Sequence, residues 1–199
     1  QDKARTIVDP QSAYAQNGAY ALGRAIDAAI IAAFFAASKT GPDGTRTAES
    51  HSATYQIASS SVGLTLTKLK TAKKLLLQAK DDVRNDPLYV AMTAAQHDNL
   101  LNETQAISLD YNSKPVLVEG MISRFMGFEF IIIEDLDTVS SERACACWAK
   151  SGIHLGIWND ITTRVSERPD KSYATQVYVK GTFGATRTQQ GKVVRILCA

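Results

Sequence analysis

The sequence predicts an α+β fold, and three observations carry that reading. A single helical period runs unbroken from Pro10 to Ser38. Two segments, Ile161 to Val165 and Tyr173 to Val179, alternate apolar and polar side chains with a period of two. Helices and strands then follow one another without the regular βαβ order of a doubly wound sheet. The 199 residues hold 22 Lys plus Arg against 20 Asp plus Glu, a net charge of +2, with 45% hydrophobic and 21% charged side chains. Such a chain is long enough to bury a core without a metal or disulfide staple. Its charge balance argues against a dedicated DNA-reading module, which needs a basic face for phosphate contacts.

The first helix has Asp9 as its expected N-cap, Pro10 where a missing N–H costs nothing, and Gly41-Pro42 as its stop. Tyr14, Leu22, Ile26, Ile30 and Phe34 recur mostly four apart, and Ile31 and Phe35 widen the stripe. At 1.5 Å per residue the helix would be about 40 Å long, a spine for other elements to pack against. Gly18 and Gly23 are expected to admit a neighbouring backbone, and Arg24 and Asp27 to pair across one turn. Its longest uncharged apolar run, Ala28 to Ala37, falls short of the ~20 residues that span a bilayer, which predicts no transmembrane helix.

Lys39 to Gly63 is rich in Gly, Ser and Thr and longer than most connections, so a functional or mobile loop is expected there. Thr67 is placed to cap a second helix running to about Lys80. Leu69, Ala72, Leu75, Leu76 and Ala79 form its inner face; Lys68, Lys70, Lys73, Lys74 and Lys80 form a solvated one, with phosphate binding as the alternative role for the lysines. Leu88 to Met92 reads as a buried strand after the break at Pro87, and Thr93 as the cap of a third helix through Gln96 to Leu101. Phe128 to Ile133 is apolar on nearly both faces and predicts a central strand. Ala144 to Trp158 is a third apolar stretch. The two alternating segments predict antiparallel strands joined by the charged turn Glu167-Arg168-Pro169-Asp170-Lys171, a hairpin tip standing out from the body. Lys192 to Cys198 closes the chain as a last strand.

No residue set in the sequence specifies a reaction. There is no phosphate loop, and Gly181-Thr182-Phe183-Gly184 lacks the third glycine of a dinucleotide site. His51, His97 and His154 have no second ligand at metal-binding spacing. Cys145 and Cys147 share one face of a strand without the Cys-x-x-Cys spacing of a redox pair. With Cys198 they make an odd count that fits a reducing compartment. Glu134-Asp135 and Asp81-Asp82 read as solvated carboxylates. No catalytic, cofactor-binding or metal-binding residue is assigned, and no cofactor is expected. Gln1 to Thr6 carries no secretory signal, and a start at Gln1 without methionine is expected of a piece of something longer.

The order of these elements resembles a known family. Asp9-Pro10-Gln11-Ser12-Ala13-Tyr14, followed by Ala21-Leu22-Gly23-Arg24-Ala25-Ile26-Asp27 and an alanine-rich tail, resembles the spine helix of tailed-bacteriophage major capsid proteins. The helix from Leu66, the strand and helix with Gln96-His97, Gly127-Phe128 before an apolar strand, the Arg168-Pro169-Asp170-Lys171 turn, and Gly184-Ala185-Thr186-Arg187 before Val193-Val194-Arg195-Ile196 follow in the same order. The resemblance implies the Johnson fold of the Hong Kong phage capsid type. It has a peripheral lobe built on the spine helix and long strands, and an axial lobe with a central sheet. It implies subunits that form hexamers and pentamers of an icosahedral shell around double-stranded DNA, held without sequence specificity.

Under that resemblance residues 9–63 and 160–187 would be peripheral and 64–159 axial, with 188–199 a closing strand of either lobe. Glu167, Arg168, Asp170 and Lys171 become candidate contacts between subunits. Copies of the chain itself are the expected partners, with scaffolding, portal or decoration proteins beside them and no membrane. The expected location is the virion capsid, assembled in the host cytoplasm. The family's amino-terminal arm and extended loop would lie upstream of Gln1. A cargo-enclosing bacterial nanocompartment shares the fold and is the alternative reading. A cytosolic enzyme using Cys145, Cys147 or His154 is the alternative from another class.

Overall fold

The computed structural model describes residues 10–41, 48–79, 85–103, 117–118 and 121–199. The expected N-cap Asp9, Gln1 to Thr6, Pro42, Lys80 and the Asp81-Asp82 pair lie outside the described residues. The chain divides into two compact units, residues 1–30 with 155–185, and residues 31–154 with 186–199.

The larger unit is built on a seven-stranded mixed sheet. Its strands are β1 (Gln56–Ile57), β2 (Leu88–Met92), β5 (Arg124–Phe125), β6 (Phe128–Ile132), β7 (Thr138–Val139), β8 (Glu142–Ala149) and β11 (Val193–Cys198). They lie in the order β1-β11-β8-β2-β6-β5, with β7 paired to β8. β2 runs parallel to β6 and antiparallel to β8, and β11 runs antiparallel to β8 with Val194 opposite Cys147 and Ile196 opposite Cys145. Strands β3 (Leu117–Val118) and β4 (Met121–Ile122) form a separate two-stranded pair. The strand closing the chain is therefore an inner strand of the main sheet, between β1 and β8.

Burial on both faces falls on a different strand from the one the sequence predicts. Ala144, Cys145, Ala146 and Cys147 of β8 are all fully buried, whereas β6 buries Phe128 and leaves Glu129 and Ile132 exposed. The cause is the neighbour on the outer side: β5 is only two residues long and leaves β6 almost at the edge. The apolar stretch from Ala144 to Trp158 is not one element either. A 3-10 turn at Lys150–Gly152 breaks it, held by the Ser151 N–H donating to Asp86 Oδ1 at 3.0 Å. A Cβ on Gly152 would sit 2.8 Å from the Lys192 carbonyl oxygen, so this turn requires glycine.

Helix α2 (Leu66–Gln78) starts two residues earlier than expected. Thr65, not Thr67, is the N-cap and accepts from the Lys68 N–H, because Leu64 and Leu66 must both be buried and this fixes the entry of the chain. Leu69, Ala72 and Leu76 form its buried face, as the period demands. Thr93 stands as N-cap of α3 (Ala94–Leu101). Its hydroxyl donates to Gln96 Oε1, while Glu134 Oε1 accepts from the Ala94 N–H at 2.7 Å. The expected loop from Lys39 to Gly63 is partly structured. Ser38 and Glu49 exchange backbone hydrogen bonds, and β1 adds in parallel to β11 at the sheet edge.

The smaller unit contains most of helix α1 (Pro10–Phe35) and of strands β9 (Ile153–Arg168) and β10 (Ala174–Arg187), a two-stranded sheet. Gly156 lies against Gly184 and Gly181 against Asn159, a register that runs antiparallel. α1 has 26 residues and a length of about 39 Å. Gly18 admits a close neighbour, but it is a side chain and not the expected backbone, since a Cβ there would lie 2.6 Å from Val179 Cγ2. Gly23 has no atom within 4 Å of that position. Arg24 and Asp27 form no ion pair. The stretch Ala13–Phe35, mean hydropathy 1.4, is long and apolar enough to cross a membrane by length and composition, which corrects the expectation drawn from Ala28 to Ala37 alone. Alanine carries the hydropathy past Arg24 and Asp27, two charges that are expensive in hydrocarbon.

Candidate subunit-contact surfaces

The charged tip expected from the sequence lies at the turn between β9 and β10. Pro169–Lys171 form one 3-10 turn, and Ser172 and Tyr173 follow with φ of 52° and 57°, the left-handed conformation that reverses the chain. Arg168 grips Asp170 through two bonds, Nε to Oδ1 at 2.9 Å and Nη2 to Oδ2 at 2.5 Å. That fork holds the Asp170 carboxyl below the usual carboxylate range. Glu167 and Lys171 are exposed beside it.

Below the tip β10 has one half-buried face, with Val177, Val179, Gly181 and Phe183 on the side that meets Gly18 and Leu22 of α1, and one exposed face, and the hairpin's exposed surface is unusually apolar. Trp158 is 87% exposed, and Ile157, Val165, Tyr173 and Tyr178 are exposed with it. Gly156, Ile157, Trp158, Thr182, Phe183 and Gly184 line a shallow groove of about 310 Å³. Tyr14 and Tyr20 of α1 are likewise exposed. In β10 the alternation read from the sequence holds as alternating half-buried and exposed residues, but periodicity does not show how apolar the exposed surface of β9 is.

The lysine face of α2 is not uniformly solvated. Lys68 is 7% exposed and its ammonium donates to the Val62 and Leu197 carbonyls at 2.6 and 2.9 Å, tying the helix to the end of β11. Lys73 donates to the Met126 carbonyl at 2.7 Å in the β5–β6 turn, where Met126 and Gly127 both have positive φ. Lys70 and Lys74 remain exposed. The missed signal was position: Lys68 follows the buried Leu66 by two and precedes Leu69 by one, and so falls on the inward edge of the stripe.

Two cations, the buried Arg187 and the half-buried Arg195, were not assigned any role by sequence reasoning. Arg187 is 4% exposed and donates to the carbonyls of Phe34 (2.8 Å), Ala36 (3.1 Å) and Glu49 (3.3 Å), capping the end of α1. Arg195 lies 4.2 Å over the Phe35 ring, whose edge meets His51. His51 Nε2 sits 3.2 Å from the Val193 carbonyl and must carry the proton there, which leaves Nδ1 bare and without a hydrogen-bond partner.

Burial, with the Arg195 and Arg187 charges beside it, pushes the His51 pKa down to about 4. Its unfolded value is near 6.5, so the unfolded chain binds the proton first. The contribution of neutral His51 is complete above pH 6.5 and lost as pH falls toward 4. We expect wild type to lose about 2 kcal/mol more stability than His51→Gln over that interval, after allowance for solvent screening. Urea unfolding at pH 7 and pH 4.5 measures the difference, and parallel losses in the two proteins would refute it.

The three thiols differ in their surroundings: the hydrogen bond with Cys145 lowers the Cys198 pKa, and the other two shift the opposite way. Cys145, Cys147 and Cys198 are free and buried. A hydrogen bond with Cys198 together with burial drives the Cys145 pKa far up, and burial does the same to Cys147. His154 is exposed on β9, away from any thiol in sequence and strand register, and His97 Nε2 accepts from the Ile122 N–H at 3.2 Å. Among the described residues no cluster of three His, Cys, Asp or Glu side chains could hold a metal.

Comparison with known proteins agrees with surfaces built for association. A family described as phage capsid protein matches residues 1–199. No curated protein matches the chain. The capsid of the cyanophage P-SCSP1u superposes with a TM-score of 0.72 at 16% identity, covering 100% of this chain and 68% of that one. The capsid of an empty GTA particle gives 0.69 at 15%, covering 98% and 68%. The SrpI encapsulin of Synechococcus elongatus is a weaker likeness, 0.50 at 9%, covering 73% and 53%. At these identities the likenesses show a common fold.

Proposed function

The chain belongs to the phage capsid protein family, matched along all 199 residues, and from that premise we propose that it closes an icosahedral shell of hexamers and pentamers around packaged double-stranded DNA. It is a structural subunit of the virion capsid. One observation carries the reading furthest. Among the described residues, the unit of residues 1–30 and 155–185 contains no buried side chain, yet it displays seven of the ten exposed large hydrophobic residues of the chain. Such a surface on one molecule is unfinished and asks to be covered. In a shell, neighbouring copies cover it.

On this reading the spine helix and the β9–β10 hairpin make the peripheral lobe and the seven-stranded sheet with α2 makes the axial lobe. Glu167, Arg168, Asp170 and Lys171 stand where capsomers meet. A net charge of +2 suits an inner wall that encloses DNA without trapping it. Scaffolding, portal and decoration proteins are the further partners, and assembly takes place in the host cytoplasm.

Sedimentation velocity and negative-stain imaging of the full-length gene product test the proposal, with expected capsomer rings or closed shells. Trp158→Ser should raise the protein concentration needed for assembly about tenfold or more, since a buried tryptophan is the commonest interface anchor. Wild-type tryptophan emission should shift to the blue on assembly. Monomers that persist across salt and concentration would overturn the shell reading. Particles filled with protein instead of DNA would transfer it to a nanocompartment.

A further inference from the structure

We propose that the lysine-rimmed groove on α2 receives the acidic turn at residues 134–137 of a second copy of this chain, a contact that rests on the shell reading and specifies one of its interfaces. The groove is about 450 Å³, lined by Lys70, Lys73, Lys74, Leu77, Gln78 and Met126. Its floor is apolar, with Leu77 50% exposed, and among the described residues no acidic side chain lines it. Among the described residues Lys70 and Lys74 hold no ion pair, and the Lys73 ammonium donates to the Met126 carbonyl, which fixes the groove wall.

The complementary surface follows β6. Glu134, Asp135 and Asp137 are exposed around the buried Leu136. Arg143 donates to the carbonyls of Leu136 at 2.7 Å and Glu134 at 3.4 Å, and Glu134 receives the Ala94 N–H, so the turn is held from two sides. Three carboxylates against the Arg143 guanidinium and that of Arg195, which Asp137 also feels, still leave it negative. An ordered acidic turn loses little freedom on docking, and matched charges select the partner and its register more than they add raw affinity.

The geometry makes this a contact between copies. Met126 precedes β6 and the acidic turn follows it, so the strand's five residues alone hold the two surfaces about 13 Å apart, at opposite ends of one rigid element. They cannot meet within one molecule. A surface at one end that fits a surface at the other gives head-to-tail association, the kind that closes into rings.

The test uses charge reversal in the full-length protein, read by sedimentation velocity and imaging, with thermal unfolding as the control for folding. Lys70→Glu with Lys74→Glu, and separately Asp135→Lys with Asp137→Lys, should each raise the concentration needed for ring formation about tenfold or more and flatten its salt dependence. Asp135→Lys alone, the milder change, should move it in the same direction. The chain carrying all four reversals should regain assembly, because the attraction is restored with its sign exchanged. Reversal variants that assemble like wild type, or a folded four-fold variant that stays dispersed, would overturn the contact while leaving the shell reading intact. Normal empty shells that have lost only DNA retention in the lysine variant would also overturn it and assign the groove to nucleic acid. A wild-type protein that never assembles would instead remove the shell reading itself.

Discussion

Arg187→Ala should lower the free energy of unfolding by about 3–5 kcal/mol, measured by urea denaturation at pH 7. The side chain lies almost wholly out of water, and its guanidinium is the donor for three carbonyls at the end of α1 and in the Ser38–Glu49 connection. α1 has no basic residue in its last turn, so Arg187 also supplies the cation that the negative end of the helix favours. Removing it leaves buried acceptors unpaired, a larger penalty than the net worth of the bonds themselves. Burial lowers the Arg187 pKa and the Glu49 carboxylate opposes that shift, while the guanidinium keeps its charge. Arg187→Lys should recover part of the loss, since an ammonium keeps the charge but cannot span three carbonyls with a planar fork. A loss below 1 kcal/mol would show that water replaces the guanidinium freely and would refute this account of the helix end.

Phe34→Ala should cost a similar amount, about 3–5 kcal/mol, through a different cause. Phe34 is 2% exposed and its ring centroid lies 4.6 Å from that of Trp148 on β8, tilted 50°. Truncation removes that contact and opens a cavity beside a sheet whose neighbouring side chains have little room to collapse. Phe34→Leu keeps most of the volume and should cost less than about 1.5 kcal/mol. The near-UV circular dichroism of the Trp148 indole should fall in the alanine variant and hold in the leucine one. Because Arg187 bonds to the carbonyl of this same residue, the two losses should not add, and a double variant measures their coupling.

Much of the fold was legible because hydrophobic period and chain punctuation were strong. The strand Leu88–Met92 and the helix after Thr93 are where the pattern places them; the first helix ends at Phe35 and not Ser38, and the two strands joined at Pro169 run further than their alternation, from Ile153 and on to Arg187. Errors came where a neighbour in space decides the outcome. β6 reads as a central strand, but a two-residue β5 beside it leaves it near the edge. Lys68 reads as solvated, but two carbonyls one layer below accept its ammonium. β1 was invisible because two residues, Gln56 and Ile57, carry no period and exist as a strand only through β11.

The surfaces were less legible than the fold. The charged tip could be seen as a run of charge, whereas the exposure of Trp158, the apolar floor under Lys70 and Lys74, and the separation of that floor from residues 134–137 depend on strand order. Arg187 and His51 lie far apart in sequence and close in effect around the end of α1. No local pattern announces such a pairing.

The hairpin unit without a buried side chain has a thermodynamic meaning. A segment that removes little apolar surface from water within one molecule has little internal free energy to offset the entropy of its own ordering. What it lacks must come by mass action from other molecules. On the shell reading, association then adds to the stability of this unit by an amount that grows with protein concentration.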